Sequence, residues 1–183
     1  LVSVAAAGVY LVVGGFDGNV WYFDGDAITG PGFIASEANS TLPITCLVVH
    51  KFHNEDNAYI YAGTSRKPRL YRAEISDAGA ISGWEEVGTD ATYLQSITGD
   101  ITCGVSSVNR LFLGTADDRI VEYKRTSSFG EETESVTYHL LSSSKIGSDE
   151  PYTMPVSSMV RTNDQIMFSI ANKPEVWLSL IHI

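Results

Sequence analysis

The stretch LFLGTADDRIVEY, Leu111–Tyr123, decides the fold. An apolar run closes on Gly114, a short polar segment through Asp117 and Asp118 turns the chain, and an alternating run from Arg119 to Tyr123 returns. That is the pattern of a β-hairpin. It recurs. LVVGGFDGNVWYF, Leu11–Phe23, fits without a gap, placing Gly14 on Gly114, Asp17 on Asp117 and Val20 on Ile120. IYAGTSRKPRLYRA (Ile60–Ala73) and IMFSIANKPEVW (Ile166–Trp177) fit with one additional turn residue and share a Lys-Pro turn, Lys67-Pro68 and Lys173-Pro174. Copies spaced by roughly 50 residues mark a repeat architecture, which governs every later step.

Each hairpin is flanked on both sides. Upstream lies a short run with small residues at its centre: Ser3 to Ala5, Thr45-Cys46, Thr102-Cys103 and Ser157-Ser158. Downstream lies a looser strand, Gly32–Ala35, Trp84–Val87 and Val136–Leu140. No helical period of 3.6 persists in any window of a dozen residues, so an α/β reading fails. The expectation is an all-β chain: a β-propeller of about four blades, each of four antiparallel strands, spanning residues 1–177 with blades near 1–40, 41–97, 98–152 and 153–177. First strands crowd a propeller's central channel, which accounts for Ser3, Cys46, Cys103 and Ser158. The bulkier Trp21, Tyr22, Phe23, Tyr71, Tyr123 and Trp177 fall on third strands, where facing blades would bury them. The segments 125–135 and 142–154, rich in Ser, Gly and Glu, read as mobile loops.

Composition narrows the partners. The chain has 183 residues, 44% hydrophobic and 19% charged, with a net charge of −10. That balance is ordinary for a globular protein. It excludes a nucleic-acid partner, because phosphate binding needs clustered Lys and Arg, and it disfavours an anionic membrane surface. No membrane insertion is expected, since the opening apolar run LVSVAAAGVYLVV is too short to span. The two cysteines occupy matching places in neighbouring repeats and read as free, buried thiols rather than a disulfide. The compartment is left open. The last six residues, LSLIHI (Leu178–Ile183), match the in-frame translation of a transposon mosaic end and read as sequencing-adapter read-through. On that reading the chain is part of a longer, environmental open reading frame and an incomplete portion of a larger propeller.

Single repeats resemble several propeller families. Val9–Asp24 resembles a kelch repeat through Gly14-Gly15, and equally a quinoprotein-type repeat. Tyr59–Thr89 is similar to blades of sialidase-like and sortilin-like propellers, with Ser76-Asp77-Ala78-Gly79 and Trp84 in the region of an Asp-box. The resemblance implies a propeller fold and a loop-lined binding face. It does not single out one activity, since propellers host many functions.

The candidate ligand-binding residues are therefore those on the hairpin turns, which a propeller gathers at one channel mouth: Asp17, Arg66, Lys67, Asp117, Asp118 and Lys173. No catalytic residue is assigned, because no nucleophile elbow, Cys-His pair or P-loop occurs. No metal site and no cofactor is expected. His50-Lys51-Phe52-His53 with Glu55 and Asp56 groups ligand-type residues but reads as a solvated loop. Asn39-Ser40-Thr41 fits a glycosylation sequon. The expected function is a non-enzymatic binding or scaffold module that presents a loop-lined face to a protein or carbohydrate. The alternative is part of a propeller enzyme, a sialidase-like glycoside hydrolase or a quinoprotein dehydrogenase, with its catalytic blades elsewhere.

Overall fold

The computed structural model describes residues 3–37, 40–53, 55–87, 97–117, 119–128, 131–140, 155–163, 165–171 and 176–178. Every regular element among them is a strand, as patterning of period two requires. The first sheet holds β1 (Ser3–Ala7), β2 (Tyr10–Gly14), β3 (Asn19–Phe23) and β4 (Ile28–Ile34), in that spatial order and antiparallel. A small ladder, β5 (Ser36–Glu37) with β6 (Ser40–Thr41), leads to the second sheet: β7 (Ile44–His50), β8 (Ala58–Thr64), β9 (Leu70–Ile75) and β10 (Ile81–Glu86). The third sheet holds β11 (Ile101–Ser107), β12 (Arg110–Thr115), β13 (Arg119–Ser128) and β14 (Glu131–Leu140). The fourth has β15 (Val156–Arg161), β16 (Ile166–Ile170) and β17 (Val176–Leu178), three strands among the described residues where four were expected. Leu178, at the start of the tail read as read-through, pairs with Met167.

The register makes the repeats equivalent residue by residue. Ser3 pairs with Gly14, Cys46 with Gly63, Cys103 with Gly114 and Ser158 with Ser169. In the second, third and fourth sheets the first strand also carries the same bulge, just before Cys46, Cys103 and Ser158. A bulge leaves one residue out of the ladder and re-aims it. That residue is Thr45, Thr102 or Ser157.

Small side chains at these positions let first strands approach one another: β1 lies on β7, β7 on β11 and β11 on β15. Ser3 Oγ accepts the Leu47 amide at 2.8 Å, and Cys46 Sγ packs onto Gly104. The bulged Thr45 hydroxyl lies within hydrogen-bond reach of the Ile101 carbonyl across the junction and of the Gly63 carbonyl, 3.2 Å away, in its own sheet. Thr102 repeats this with Val156 and with Gly114, 3.1 Å away. Each glycine is a seat. A Cβ built on Gly63 would stand 2.5 Å from Ile101 Cγ2, and one on Gly114 2.7 Å from Val156 Cγ1; Ile44 fills the space beside Gly14 in the same way.

Three apolar cores fill the three gaps between consecutive sheets. In the second sheet alternation is complete: Ile60, Ala62, Tyr71 and Ala73 join the core shared with the first sheet, while Val48, Tyr61 and Leu70 join the core shared with the third. Among the described residues no core joins the fourth sheet back to the first, so the run of sheets is open.

Three expectations need correction. Burial of the third strands holds for Tyr71 and Tyr123, whereas Trp21 and Phe23 are half-buried because among the described residues nothing covers the outer side of the first sheet, and Tyr22, on the inner side, is half-buried against Tyr10 and Trp84. Much of 125–135 is the regular hairpin of β13 and β14, with Arg125 opposite Glu134. The loop after β7 is anchored rather than solvated, since His50 and Phe52 are 2% and 0% exposed. The segment 142–154 lies outside the described residues. Both cysteines are free, Cys46 buried and Cys103 partly so. No helix among the described residues is long and apolar enough to cross a membrane.

Candidate functional site

The hairpin turns of successive sheets share one rim with the links between sheets. The Ile44 amide donates to Gly15 O at 3.0 Å, Ser65 to Pro43 O at 3.1 Å and Ala116 to Asp100 O at 2.9 Å. On this rim Asp17 is engaged by its own turn. Its carboxylate accepts Asn19 Nδ2 at 2.6 Å, while Gly18 takes a φ of 81° that a side chain rarely adopts. Asp117 accepts from Thr98, and from Thr115 Oγ1 at 2.5 Å, with Arg119 Nε at 3.8 Å. Burial pushes its pKa up, but these hydroxyls and the Arg119 charge outweigh it, so the carboxyl titrates below the usual range. Asp117 therefore pins the third sheet's turn to the segment before β11.

Arg66 behaves differently. Its φ of 67° is unusual for a residue with a side chain, and its guanidinium stands 5.2 Å from the ring centroid of Phe16, on the neighbouring turn. Phe16 is 62% exposed. An exposed aromatic braced by an arginine, with Lys67 exposed beside it, is the combination that supplies binding anchors. The structure thus brings Arg66 to Phe16 across the first and second sheets and leaves Asp117 in separate, structural contacts. Asp118 and Lys173 lie outside the described residues, as does Asn39 of the sequon.

A second constellation lies beside the gap between the second and third sheets, near the ends of β8 and β9. Glu55 is bonded to Arg125 Nη1 and stands 3.7 Å from Arg72 Nη1; Arg72 Nε meets Glu85 at 2.6 Å and its guanidinium covers the Tyr59 ring at 4.9 Å. Glu55, Tyr59, Arg72 and Arg125, with Asp56, Asn57 and Glu74, line a polar depression of about 360 Å³. Glu55 is the hub. One carboxylate placed between two largely buried guanidinium groups, with Glu85 on the far side of Arg72, offsets charge that would otherwise be costly to bury.

Under this cluster Phe52 plugs the gap, edge-on to Tyr61 and Tyr123 at 6.5 and 5.4 Å. His50 presents its ring to Phe52 at 4.2 Å, and its Nδ1 is 2.8 Å from Ser106 Oγ of the third sheet. Burial lowers its pKa to about 4, so the imidazole is neutral at neutral pH. Burial likewise pushes the Cys46 thiol up, and Cys103 to about 11, so neither is a ready nucleophile. Among the described residues no group of three or more His, Cys, Asp or Glu is placed to hold a metal ion.

The ion cluster escaped sequence reading because its members, Glu55, Arg72 and Arg125, are dispersed along the chain. Phe16 escaped because a single aromatic in a turn carries no periodic signal. No protein-family model matches this sequence, and no curated protein matches it.

Proposed function

We propose that the sheets are consecutive blades of a β-propeller, of the kelch-, quinoprotein- or sialidase-like pattern, and that the chain is a non-enzymatic binding module. Its contact face is the rim of hairpin turns. Equivalent positions in successive sheets, a shared bulge and first strands that touch in sequence support the blade reading. The Phe16–Arg66 pair carries the functional reading. Aromatic and arginine side chains dominate the energetics of protein contacts when desolvated at their centre, each costing about 2 kcal/mol or more when truncated. Here the two are exposed, come from different turns and are already in contact, so little side-chain freedom is lost on binding. A protein partner suits them better than a glycan, because Arg66 covers one face of the ring that a sugar would stack on.

Screening the whole chain against displayed peptides and a glycan array tests this, with the Phe16→Ser/Arg66→Glu double variant as control. The expected outcome is a set of peptide ligands whose affinity falls at least ~10-fold in the double variant. Ligands indifferent to both substitutions would overturn the assignment of the face. Hydrolysis of sialosides, or dye reduction in the presence of a quinone cofactor, would overturn the non-enzymatic reading.

A further inference from the structure

We infer that Arg66 is the specificity-determining residue of the rim and that it takes the carboxylate of an acidic peptide segment. The inference rests on the rim of hairpin turns being the contact face, and it adds the chemistry of the partner. Among the described residues Arg66 is the only one other than glycine with its backbone in the left-handed region, at a φ of 67°. In the first sheet's turn that conformation falls to Gly18, at 81°. A side chain there crowds the neighbouring carbonyl, so arginine suits this turn less well than glycine does. The exposed contact of its guanidinium with the Phe16 ring returns only part of that cost. A strained residue held on an ordered surface turn points to binding rather than to folding.

The turn is locked around it. Thr64 is fully buried; its Oγ1 accepts the Arg69 amide at 2.9 Å and donates to Lys67 O at 2.8 Å. The Ser65 amide is tied to Pro43 O at 3.1 Å. Arg66 and Lys67 are exposed all the same. They stand on the second sheet, which is packed against a neighbour on each side.

The guanidinium decides the class of ligand. Its contact is with the Phe16 ring, and among the described residues no oxygen acceptor meets its N–H donors. The acids of the adjoining turns are engaged elsewhere: Asp17 accepts the Asn19 amide and Nδ2, and Asp117 accepts the hydroxyls of Thr98 and Thr115. A fork of donors without an acid of its own matches a carboxylate, which it can hold through two parallel hydrogen bonds. Lys67 adds a second positive charge beside it, so a segment carrying Asp or Glu next to an apolar side chain complements Arg66, Lys67 and Phe16 together.

Selection of displayed peptides on the whole chain tests the proposal, followed by affinities of single synthetic peptides for wild type, Arg66→Gly, Arg66→Lys and Phe16→Ser. The recovered peptides are expected to be enriched in Asp and Glu, and exchange of those residues for Asn and Gln to weaken binding at least ~10-fold. Arg66→Gly is expected to lose about tenfold in affinity while its thermal midpoint rises by about 2–4 °C, because the left-handed place then holds the residue that suits it. Arg66→Lys keeps the charge without the fork and is expected to recover little of that affinity. Peptides without acidic enrichment, or whose binding falls with Phe16→Ser and not with Arg66→Gly, would overturn the inference while leaving the rim as the contact face. Full affinity in Arg66→Lys would refute the fork, and a lowered midpoint in Arg66→Gly would refute the strained turn. Recovery of no peptide, or of peptides indifferent to both positions, would remove the contact face and this inference with it.

Discussion

At the scale of single residues, the junctions are most exposed to change at their glycines. Gly63 is constrained by space, since the methyl of an alanine would meet Ile101 Cγ2 at 2.5 Å and Cys46 Cβ at 3.3 Å. Gly63→Ala is expected to cost about 1–3 kcal/mol, the range for overpacking a well-filled interior, in a chemical denaturation experiment. Ala is the better residue for a free chain, so a neutral result would show that the sheets are not held this closely. His50 gives a prediction in pH. Its folded pKa of about 4 lies below the ordinary value of 6.5, so the unfolded chain binds more protons between the two. Its contribution is whole above pH 6.5 and is lost as pH falls toward 4, up to about 3 kcal/mol at the bottom of that window. Denaturation of wild type and His50→Gln at pH 7, 6, 5 and 4 should show the gap between them shifting in favour of the variant as acid is added. A gap constant with pH would mean that the ring takes up its proton in the fold as it does in the unfolded chain.

At the scale of elements, the decisive device is the bulged threonine, which ties a first strand to its own sheet and to the next. Thr45→Val keeps shape and removes the hydroxyl, leaving the Ile101 carbonyl without its partner across the junction. The expected cost is about 1–2 kcal/mol, recovered largely by Thr45→Ser. Thr102→Val acts at the next junction, but the Ile101 carbonyl that Thr45 reaches belongs to the peptide shared with Thr102, so the double variant should show losses that depart from additivity in equilibrium unfolding. These elements were legible in the sequence to different degrees. The hairpins were readable because Gly14 and Gly114 end apolar runs at the same place and the alternation resumes at Val20 and Ile120, positions that pair as that reading requires. The small residues at Ser3, Cys46, Cys103 and Ser158 were readable for the same reason. The β13–β14 hairpin was not, because its outer part, rich in Ser, Thr and Glu, shows no apolar alternation by which a strand announces itself. The loop holding Phe52 and Glu55 was hidden by its polar neighbours, and the Arg72–Glu55–Arg125 cluster by distance along the chain.

At the scale of the whole molecule, stability is set by position in the row. Stacked repeats derive their stability from the interfaces that each shares with its neighbours. The second and third sheets each have two such interfaces, whereas the first and fourth each have one and leave Val4, Leu11, Val160 and Val176 in water. Opening free energy should then rise inward, and amide hydrogen exchange reads it directly. By that order β2, β3 and β16 are expected to exchange first. Next come β8 and β12, whose Ile60, Tyr61, Leu111 and Leu113 are fully buried. Uniform protection across all four sheets would contradict an open row: it would mean that the terminal sheets are covered within one molecule, and that loss of any junction unfolds the whole chain at once.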